Sequence, residues 1–482
     1  MNQKCKDKIL KLLENIKRNK TIISLFFLIG INSIIWGLFI PVWQNPDEIA
    51  HFCYIQYLVE HKEFPNWIEK NKCSKEVDLA KEILKLNEIA FHPNNKFLFE
   101  DYEKEKKELD SIKIYKKTIG ESANSASGRP PLYYLTGTIP YIIFRNRNLA
   151  DRNHAMRFVS TFYLLLTCLV VYKTSRLLKF SKELSLTTVA FVGFHPMMTM
   201  LSGSLNPDTL VVFLFSLFSY YALLFFVNES KFNPKHVFIM IIIMLLTTLT
   251  KQNSLILYAV FGLFYCYYLY QVFLNKKFAI KRFILELFAI LLTCGIQLKI
   301  IFGEATNYFV NNSVNPNLTF KEFFINSSYI SSYLLHQVYC CFWGCFGWLD
   351  IALHKDIFNL IKIFSIVSFL GIILYLVNIK SKIRKTLRVI FFNLLFIIIG
   401  IVFMVYLDYR SLKSLGGYVV QGRYYLILIS PIVILLGYGW KYFNKKILLG
   451  NKSIFCKILI YFVIFFNFLI LLFYIYSRYY EI

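Results

Sequence analysis

The sequence predicts an all-α integral membrane protein with about eleven transmembrane helices and further helices at the outer surface. First, 56% of the 482 residues are hydrophobic and only 17% are charged, whereas soluble domains carry about 45–50% apolar and about 25% charged residues. Second, apolar runs of about twenty residues recur, which is the length that crosses a hydrocarbon core of about 30 Å. Third, the cations behind the net charge of +25 gather between these runs. Such clusters set membrane orientation, so no nucleic-acid partner is expected.

Eleven apolar segments are the candidate spans. They cover residues 22–41, 157–178, 184–202, 208–227, 235–250, 254–274, 283–302, 357–379, 389–407, 424–443 and 454–477. Residues 1–21 are basic, and no small-residue cleavage site follows the first run, so we expect a retained span and not a removed signal peptide. One further run, 131–144, is short and opens with two prolines. Whether it crosses the membrane decides the orientation of every later segment.

The distribution of Lys and Arg favours a juxtamembrane position for the run 131–144. With the N-terminus in the cytoplasm, the cytoplasmic loops then hold the basic segments 4–20, 173–182, 231–235, 276–282, 380–388 and 441–457. A run 131–144 that crossed the membrane would invert this charge bias in every later loop.

The composition of the chain is rich in Lys, Asn, Ile and Phe, which is typical of an AT-rich bacterial genome. We therefore predict a multi-pass protein of the bacterial cytoplasmic membrane, with its C-terminus outside.

This topology divides the chain into six parts. They are the basic N-terminus (1–21), the first span (22–41), a large outer loop with amphipathic and juxtamembrane helices (42–156), spans two to seven (157–302), a second outer loop with an aromatic cluster (303–356) and spans eight to eleven (357–482). In the large loop, Lys75–Phe91 places its apolar residues near one helical face, which predicts an amphipathic helix. Gly120–Gly128 is small and polar, which predicts a flexible connection. Cys53 and Cys73 could form a disulfide bond if this loop faces an oxidising compartment.

An acidic motif, Asn45-Pro46-Asp47-Glu48, follows the first span. Asn is a favoured N-cap and Pro a favoured first helical residue. Asp47 and Glu48 should therefore occupy the first turn of a helix, where the dipole favours ionised carboxylates. His51 lies four residues after Asp47 and shares its helical face. The motif predicts two acids and an imidazole at the membrane boundary, although it could also serve only to start a helix.

The same tripeptide recurs as Asn206-Pro207-Asp208, at the outer end of the third predicted span. Two such units on one side of the membrane could form a carboxylate cluster. That cluster would act on a hydroxyl group, or bind a divalent cation with Asp47 and Asp208 as ligands. The alternative is that both Asn-Pro-Asp motifs only cap the starts of their helices.

Three cations map to the same boundary: Arg129, Lys251 and Arg423. Lys251 interrupts an apolar stretch, and an ionisable residue at such depth is costly and marks a candidate functional site. A lysine that extends its ammonium group to the interface is the alternative. Three cations that converge near lipid headgroups would suit a phosphate or pyrophosphate group.

An aromatic segment, Phe342–Asp350, lies close to the outer interface. Its tryptophans, Trp343 and Trp348, could stack on sugar rings beside Asp350. An interfacial aromatic belt is the alternative interpretation.

These motifs occur in an order that resembles the bacterial membrane family called domain of unknown function 2142. The resemblance covers about residues 22–443, and five motifs in order are fairly specific. Its residues are Asn45–Phe52, Arg129–Tyr134, His195-Pro196 with Ser204–Asp208, Phe346–Asp350 and Gln421–Tyr424.

That family in turn looks like the C-type glycosyltransferases, which include protein O-mannosyltransferases, aminoarabinose transferases and oligosaccharyltransferases. The resemblance implies a first outer loop with an acidic motif, juxtamembrane helices and a lipid-linked donor that enters from the bilayer. It also implies that Asp47 is the general base and that the anomeric carbon is inverted. Glu48 and His51 would orient the base or the acceptor.

The resemblance also implies binding roles. Arg129, Lys251 and Arg423 would hold the leaving lipid phosphate, while Asn206 and Asp208 would position the sugar or complete a divalent-cation site. The remaining candidate contacts are Trp343, Trp348, Asp350 and Gln421. The predicted protein is a membrane glycosyltransferase that moves a sugar from a polyprenyl-phosphate carrier to an envelope glycan, lipid or protein. A divalent cation is the one cofactor left open, because some C-type enzymes need a metal and others do not.

Three alternatives stay open at this point. A lipid-linked saccharide transporter or flippase would often show inverted repeats, and the sequence has no internal repeat. A polysaccharide polymerase or ligase would be expected to carry its large outer loop later in the chain. An inert scaffold of an envelope-synthesis complex would keep its function after loss of Asp47.

Overall fold

The computed structural model describes residues 3–66, 72–98, 102–227, 233–276, 278–301, 314–325, 329–378, 383–446 and 454–480. Within these ranges, nine helices are long and apolar enough to cross a membrane, or ten if one bent pair is a single span. The predicted all-α membrane class is therefore confirmed. Parts of the predicted basic segments (231–232, 277, 380–382 and 447–453) and residues 303–313 of the second outer loop lie outside the described ranges.

The α-helices are α1 (Gln3–Phe39), α2 (Glu48–His61), α3 (Lys75–Ile83), α4 (Leu86–Ile89), α5 (Tyr102–Ile112), α6 (Leu132–Ile143), α7 (Leu149–Leu177), α8 (Lys182–Gly193), α9 (Pro196–Ser202), α10 (Asp208–Val227), α11 (Lys235–Thr248), α12 (Leu255–Leu274), α13 (Ile280–Ile301), α14 (Phe320–Ile325), α15 (Tyr339–Gly344), α16 (Lys355–Val377), α17 (Ile383–Leu415), α18 (Ile429–Lys446), α19 (Ile454–Ile470) and α20 (Ser477–Tyr479). Short 3₁₀ or π segments are Lys113–Lys117, Gln252–Ser254, Tyr329–Val338, Gly422–Leu428 and Leu471–Tyr476. The strands are β1 (Lys72–Ser74), β2 (Ile119–Ala123), β3 (Cys345–Phe346) and β4 (Ile351–Ala352), and β1 pairs with β2 and β3 with β4, both antiparallel.

Every predicted span falls on helical structure, but two of them are atypical. The predicted span 184–202 is a broken pair, because α8 and α9 meet at an angle of 62°. Pro196 lies at the start of α9, where it cannot donate the backbone hydrogen bond that would continue α8. Helix α11 has only 14 residues, or about 21 Å. The count of eleven spans therefore stays a prediction, while α6, with 12 residues, is too short to cross.

The described residues of the segments 42–66, 72–98 and 102–148 fold into a layer at one end of the bundle. Helix α2 is buried along most of its length and is joined to β1 by a disulfide bond between Cys53 and Cys73. Strand β1 pairs with β2, and α6 packs against α2 and α7. The C-terminal segment ends in the same layer, since Phe97 N donates to the carbonyl of Tyr479 at 2.8 Å. Which side of the membrane this layer faces stays a prediction.

Two local predictions in this layer are wrong. Lys75–Phe91 is not one amphipathic helix but two short ones, because Lys85 has a left-handed backbone with a φ of 47°. The segment Gly120–Gly128 is not simply a flexible connection, since its first residues belong to β2. Gly120 is needed there because a Cβ at this position would lie 2.2 Å from Asp78 Oδ2.

Candidate active site

The start of α2 differs from the sequence prediction. Asp47, and not Asn45, occupies the N-cap position, and its side chain makes no capping bond. Its backbone is left-handed with a φ of 63°, a conformation that costs of order 1–3 kcal/mol in a non-glycine residue and clusters at functional sites. The carboxylate is therefore turned toward the helical bundle, where its Oδ2 accepts a hydrogen bond of 2.7 Å from Arg423.

Arg423 lies in the 3₁₀ segment that precedes α18, and its side chain is only 2% exposed. One nitrogen, Nη2, binds Asp47. The other two, Nε and Nη1, are buried and have no hydrogen-bond partner among the described residues. A buried donor left unpaired costs about 1–3 kcal/mol, so an acceptor placed beside these two nitrogens would be stabilised.

A second ion pair lies beside the first. The ammonium group of Lys251 pairs with Asp208, and it lies 4.4 Å from the ring centre of Tyr424. The guanidinium of Arg423 lies 5.3 Å from the same ring. Both cations thus lie within cation–π distance of the Tyr424 ring. Asn206 fixes the position of the second acidic motif, because its Oδ1 accepts a 2.9 Å hydrogen bond from the backbone N of Asp208.

His51 and Arg129 complete the cluster. The Nδ1 of His51 lies 3.1 Å from the hydroxyl of Tyr134, and Tyr134 stacks on Tyr54 at 3.8 Å between ring centres. The hydroxyl of Tyr54 donates to the carbonyl of Arg129 at 3.0 Å. The backbone of Leu132 donates to Leu249 at 2.9 Å, and this contact holds the start of α6, and Arg129 before it, near Lys251.

The electrostatics of this cluster favour the deprotonated form of both its acid and its imidazole. Burial raises the pKa of Asp47, but the charge of Arg423, with smaller effects from His51, Arg129 and Lys251, outweighs burial and lowers it. Burial and the charge of Arg129 hold the pKa of His51 well below its ordinary value. At neutral pH the cluster therefore presents an ionised carboxylate next to a neutral imidazole.

The family model described as a predicted membrane protein (DUF2142) matches residues 27–436, which include all of these side chains. The chain belongs to the DUF2142 family. The resemblance read from the motifs is thereby confirmed.

No curated protein sequence is significantly similar to the chain. Two similar solved structures are oligosaccharyltransferases of Archaeoglobus fulgidus. AglB in complex with an inhibitory peptide and a dolichol-phosphate gives a TM-score of 0.45 and 13% identity over 96% of this chain and 55% of that chain. The apo form gives 0.45 and 12% over 95% and 56%. The DUF2142 chain thus spans about half the length of these structures.

The resemblance implied that Glu48 of the DUF2142 motif orients the base or the acceptor, and the structure shows which groups its carboxylate contacts. Its carboxylate binds Arg157 through two hydrogen bonds of 2.7 and 2.6 Å and also accepts from the backbone N–H groups of Trp43 and Leu205. Arg157 in turn donates to the carbonyls of Gly37, Ile40 and Pro41. Glu48 is therefore a positioning residue that joins the ends of both acidic motifs to α1 and α7. The sequence offered one sign of this role, because Arg157 is a charged residue at the start of the apolar run 157–178.

Trp348 and Asp350 of the predicted aromatic platform also lie outside the cluster. The indole N–H of Trp348 donates to the carbonyl of Trp43 at 3.1 Å. Asp350 pairs with Arg478 at 2.8 Å, and Arg478 also donates to the carbonyl of Ile89. These contacts join the aromatic segment to the layer that contains α2–α6 and to α20. A role of these two residues in binding a sugar stays a prediction.

Trp343 lines an apolar cavity of about 470 Å³ between α8, α16 and α19. Its ring stacks on His195 at 4.9 Å between centres, and the ring nitrogens of both residues are buried without a partner in the described chain. Leu360 and Phe473, each 66% exposed, lie at its rim, so the cavity opens sideways on the apolar surface. The ring of Phe342 lies 5.0 Å from that of His195, and its backbone N lies against Gly422, the residue before Arg423.

Gln421 lies directly before the 3₁₀ segment Gly422–Leu428, which carries Arg423. Its side-chain Oε1 is buried and has no hydrogen-bond partner among the described residues. Gln44 and Asn45, beside Asp47, are buried with both side-chain polar atoms unpaired in the same sense. In the described part of the chain, no three His, Cys, Asp or Glu side chains are grouped to hold a metal ion. The divalent-cation site at Asp47 and Asp208 stays a prediction.

Proposed function

We propose that the protein is an inverting glycosyltransferase of the bacterial cytoplasmic membrane that uses a polyprenyl-phosphate-linked sugar. The observation that carries this proposal is Arg423, which is buried, binds Asp47 through one nitrogen and has two further nitrogens with no partner in the described part of the chain. Arginine binds phosphate through two parallel hydrogen bonds. Transfer of a sugar from a phosphate carrier requires a group that binds the phosphate and a base that activates the acceptor. Arg423 and the ionised carboxylate of Asp47 would supply these two groups side by side.

In the proposed reaction, the acceptor hydroxyl donates a hydrogen bond to Asp47. Its oxygen attacks the anomeric carbon while the carbon–oxygen bond to the lipid phosphate breaks on the opposite face, and Asp47 takes the hydroxyl proton. Arg423 and Lys251 offset the negative charge that develops on the leaving phosphate. The neutral imidazole of His51 is held by Tyr134 and limits the space beside the carboxylate.

The apolar cavity at His195 and Trp343 supports a lipid-linked donor. It opens on the apolar surface between α16 and α19 and lies one aromatic ring away from the backbone that carries Arg423. We propose that it holds part of the isoprenoid chain while the phosphate lies at Arg423. The acceptor, an envelope glycan, lipid or protein, would approach from the layer formed by residues 42–148.

The test compares purified, reconstituted native protein with its Asp47→Asn variant, using bacterial polar lipids and radiolabelled polyprenyl-phosphate hexoses. Loss of a general base should lower the transfer rate by about 10²–10⁴-fold. Asp110→Asn is the matched control, because Asp110 is 46% exposed and pairs only at the surface with Lys113; it should transfer at the native rate. Equal transfer by native and Asp47→Asn protein would remove Asp47 from the chemistry. Label that changes leaflet without transfer would replace the proposal with a flippase.

A further inference from the structure

A second cavity, of about 460 Å³, is lined by three cysteines, Cys340, Cys341 and Cys345. The sulfur atoms of Cys341 and Cys345 lie 2.6 Å apart, while a disulfide bond is about 2.05 Å long. Only a small movement of either side chain separates this pair from a covalent bond.

The pair lies at the same end of the bundle as the disulfide bond between Cys53 and Cys73. Phe346, the residue after Cys345, packs on Trp36 at 5.5 Å between ring centres. Trp36 lies in the last turns of α1, just before the layer that holds the disulfide bond. Both cysteine pairs therefore meet the same compartment, and one of them is already oxidised.

The surroundings of Cys341 favour its reaction. The thiol of Cys345 beside it lowers the pKa of Cys341, burial opposes this effect, and Arg423 lowers the pKa further. Lys355 and Lys362 line the same cavity, and neighbouring cations favour the reactive thiolate. The cavity also gives a reagent a route to the sulfur atoms.

We propose that Cys341 and Cys345 form a disulfide bond. The oxidant is a molecule that itself carries a disulfide bond and lies in the same compartment as the Cys53–Cys73 bond. The Cys341 thiolate attacks one sulfur of the oxidant disulfide and releases the other as a thiolate. The released oxidant thiolate takes the proton of the Cys345 thiol, whose sulfur then attacks the Cys341 sulfur and expels the second oxidant sulfur. Two protein thiols and one oxidant disulfide become one protein disulfide and two oxidant thiols.

This bond would fix the backbone on which Arg423 is carried. A Cβ on Gly422 would lie 2.2 Å from Phe342 N and 2.4 Å from the carbonyl carbon of Cys341, so the two segments are in direct backbone contact. Closing Cys341 to Cys345 holds the turn at residues 341–345 and therefore the surface under Arg423. The inference rests on this geometry and does not depend on the transferase proposal.

The test traps thiols by acid quenching of cells that make the full chain. Free thiols are blocked with N-ethylmaleimide, disulfides are reduced, and new thiols are labelled with deuterated N-ethylmaleimide before peptide mass spectrometry. Cys53 and Cys73 are the internal control for oxidation, and Cys168, a buried free thiol, is the control for blocking. We expect Cys341 and Cys345 to carry the deuterated label to at least half the extent of the control pair.

The matched variants separate the three neighbouring cysteines. Cys340→Ser should keep the deuterated label on the other two, and Cys345→Ser should move Cys341 to the first label. The proposal would be overturned if Cys341 and Cys345 carried N-ethylmaleimide while Cys53 and Cys73 carried the deuterated reagent. So would pairing of Cys340 with either neighbour, or reduced Cys53 and Cys73, since the compartment would then not be oxidising.

Discussion

The buried pair between Glu48 and Arg157 gives the sharpest stability prediction. The Glu48 side chain is 0% exposed and that of Arg157 is 3% exposed. Glu48→Gln keeps the size of the side chain but removes its charge, so the guanidinium stays buried without a counter-ion. Removing one partner of a buried ion pair costs about 3–5 kcal/mol. The other carbonyl contacts of Arg157 do not supply a charge.

This energy converts to a shift in melting temperature through the entropy of unfolding. At about 2.1 cal/mol/K per residue, a chain of 482 residues has an unfolding entropy of about 1 kcal/mol/K. We therefore expect Glu48→Gln to lower Tm by about 3–5 °C. The measurement is thermal unfolding of the purified protein in one detergent, followed by tryptophan fluorescence.

Glu60→Gln is the matched control. Glu60 is equally buried, but its partner Arg145 is 40% exposed, so solvent can stabilise the remaining charge and the cost should be about 1 kcal/mol or less. Tm should fall by no more than about 1 °C. Equal shifts for the two variants would refute the reasoning, because burial of the cation would then not decide the cost.

Two further predictions concern the cluster itself. Because the folded state holds the pKa of His51 well below its ordinary 6.5, the unfolded chain binds this proton first. Stability should therefore be lost as pH falls below about 6.5, at up to about 1.4 kcal/mol per pH unit. His51→Gln should flatten this part of a Tm–pH curve, and parallel curves would contradict the assignment. Gly422→Ala should lower Tm, because its Cβ would lie 2.2 Å from Phe342 N, whereas Gly262→Ala, with nothing within 4 Å, should leave Tm unchanged or raise it. The opposite order would show that the contact at Gly422 can relax.

Local sequence patterns were sufficient to predict the all-α membrane class and the positions of the candidate spans. Both depend on the length and the apolar composition of a single segment. They also identified Asp47, Asp208, Lys251 and Arg423 as candidates. They did not show that Glu48 pairs with Arg157, since adjacent residues at a helix start can point in different directions. Asp47 turns into the cluster because its backbone is left-handed, and nothing in the local sequence requires that conformation.

The sequence by itself determined that this protein lies in a membrane and which polar residues stand near the ends of its helices. Only the tertiary structure decided which of them meet. The hydrogen bond between Asp47 and Arg423 joins residues 376 positions apart, and Arg157 reaches Glu48 across 109 positions. Such contacts depend on how whole helices pack and on which charges burial forces together, and these are properties of the assembled bundle and not of any segment.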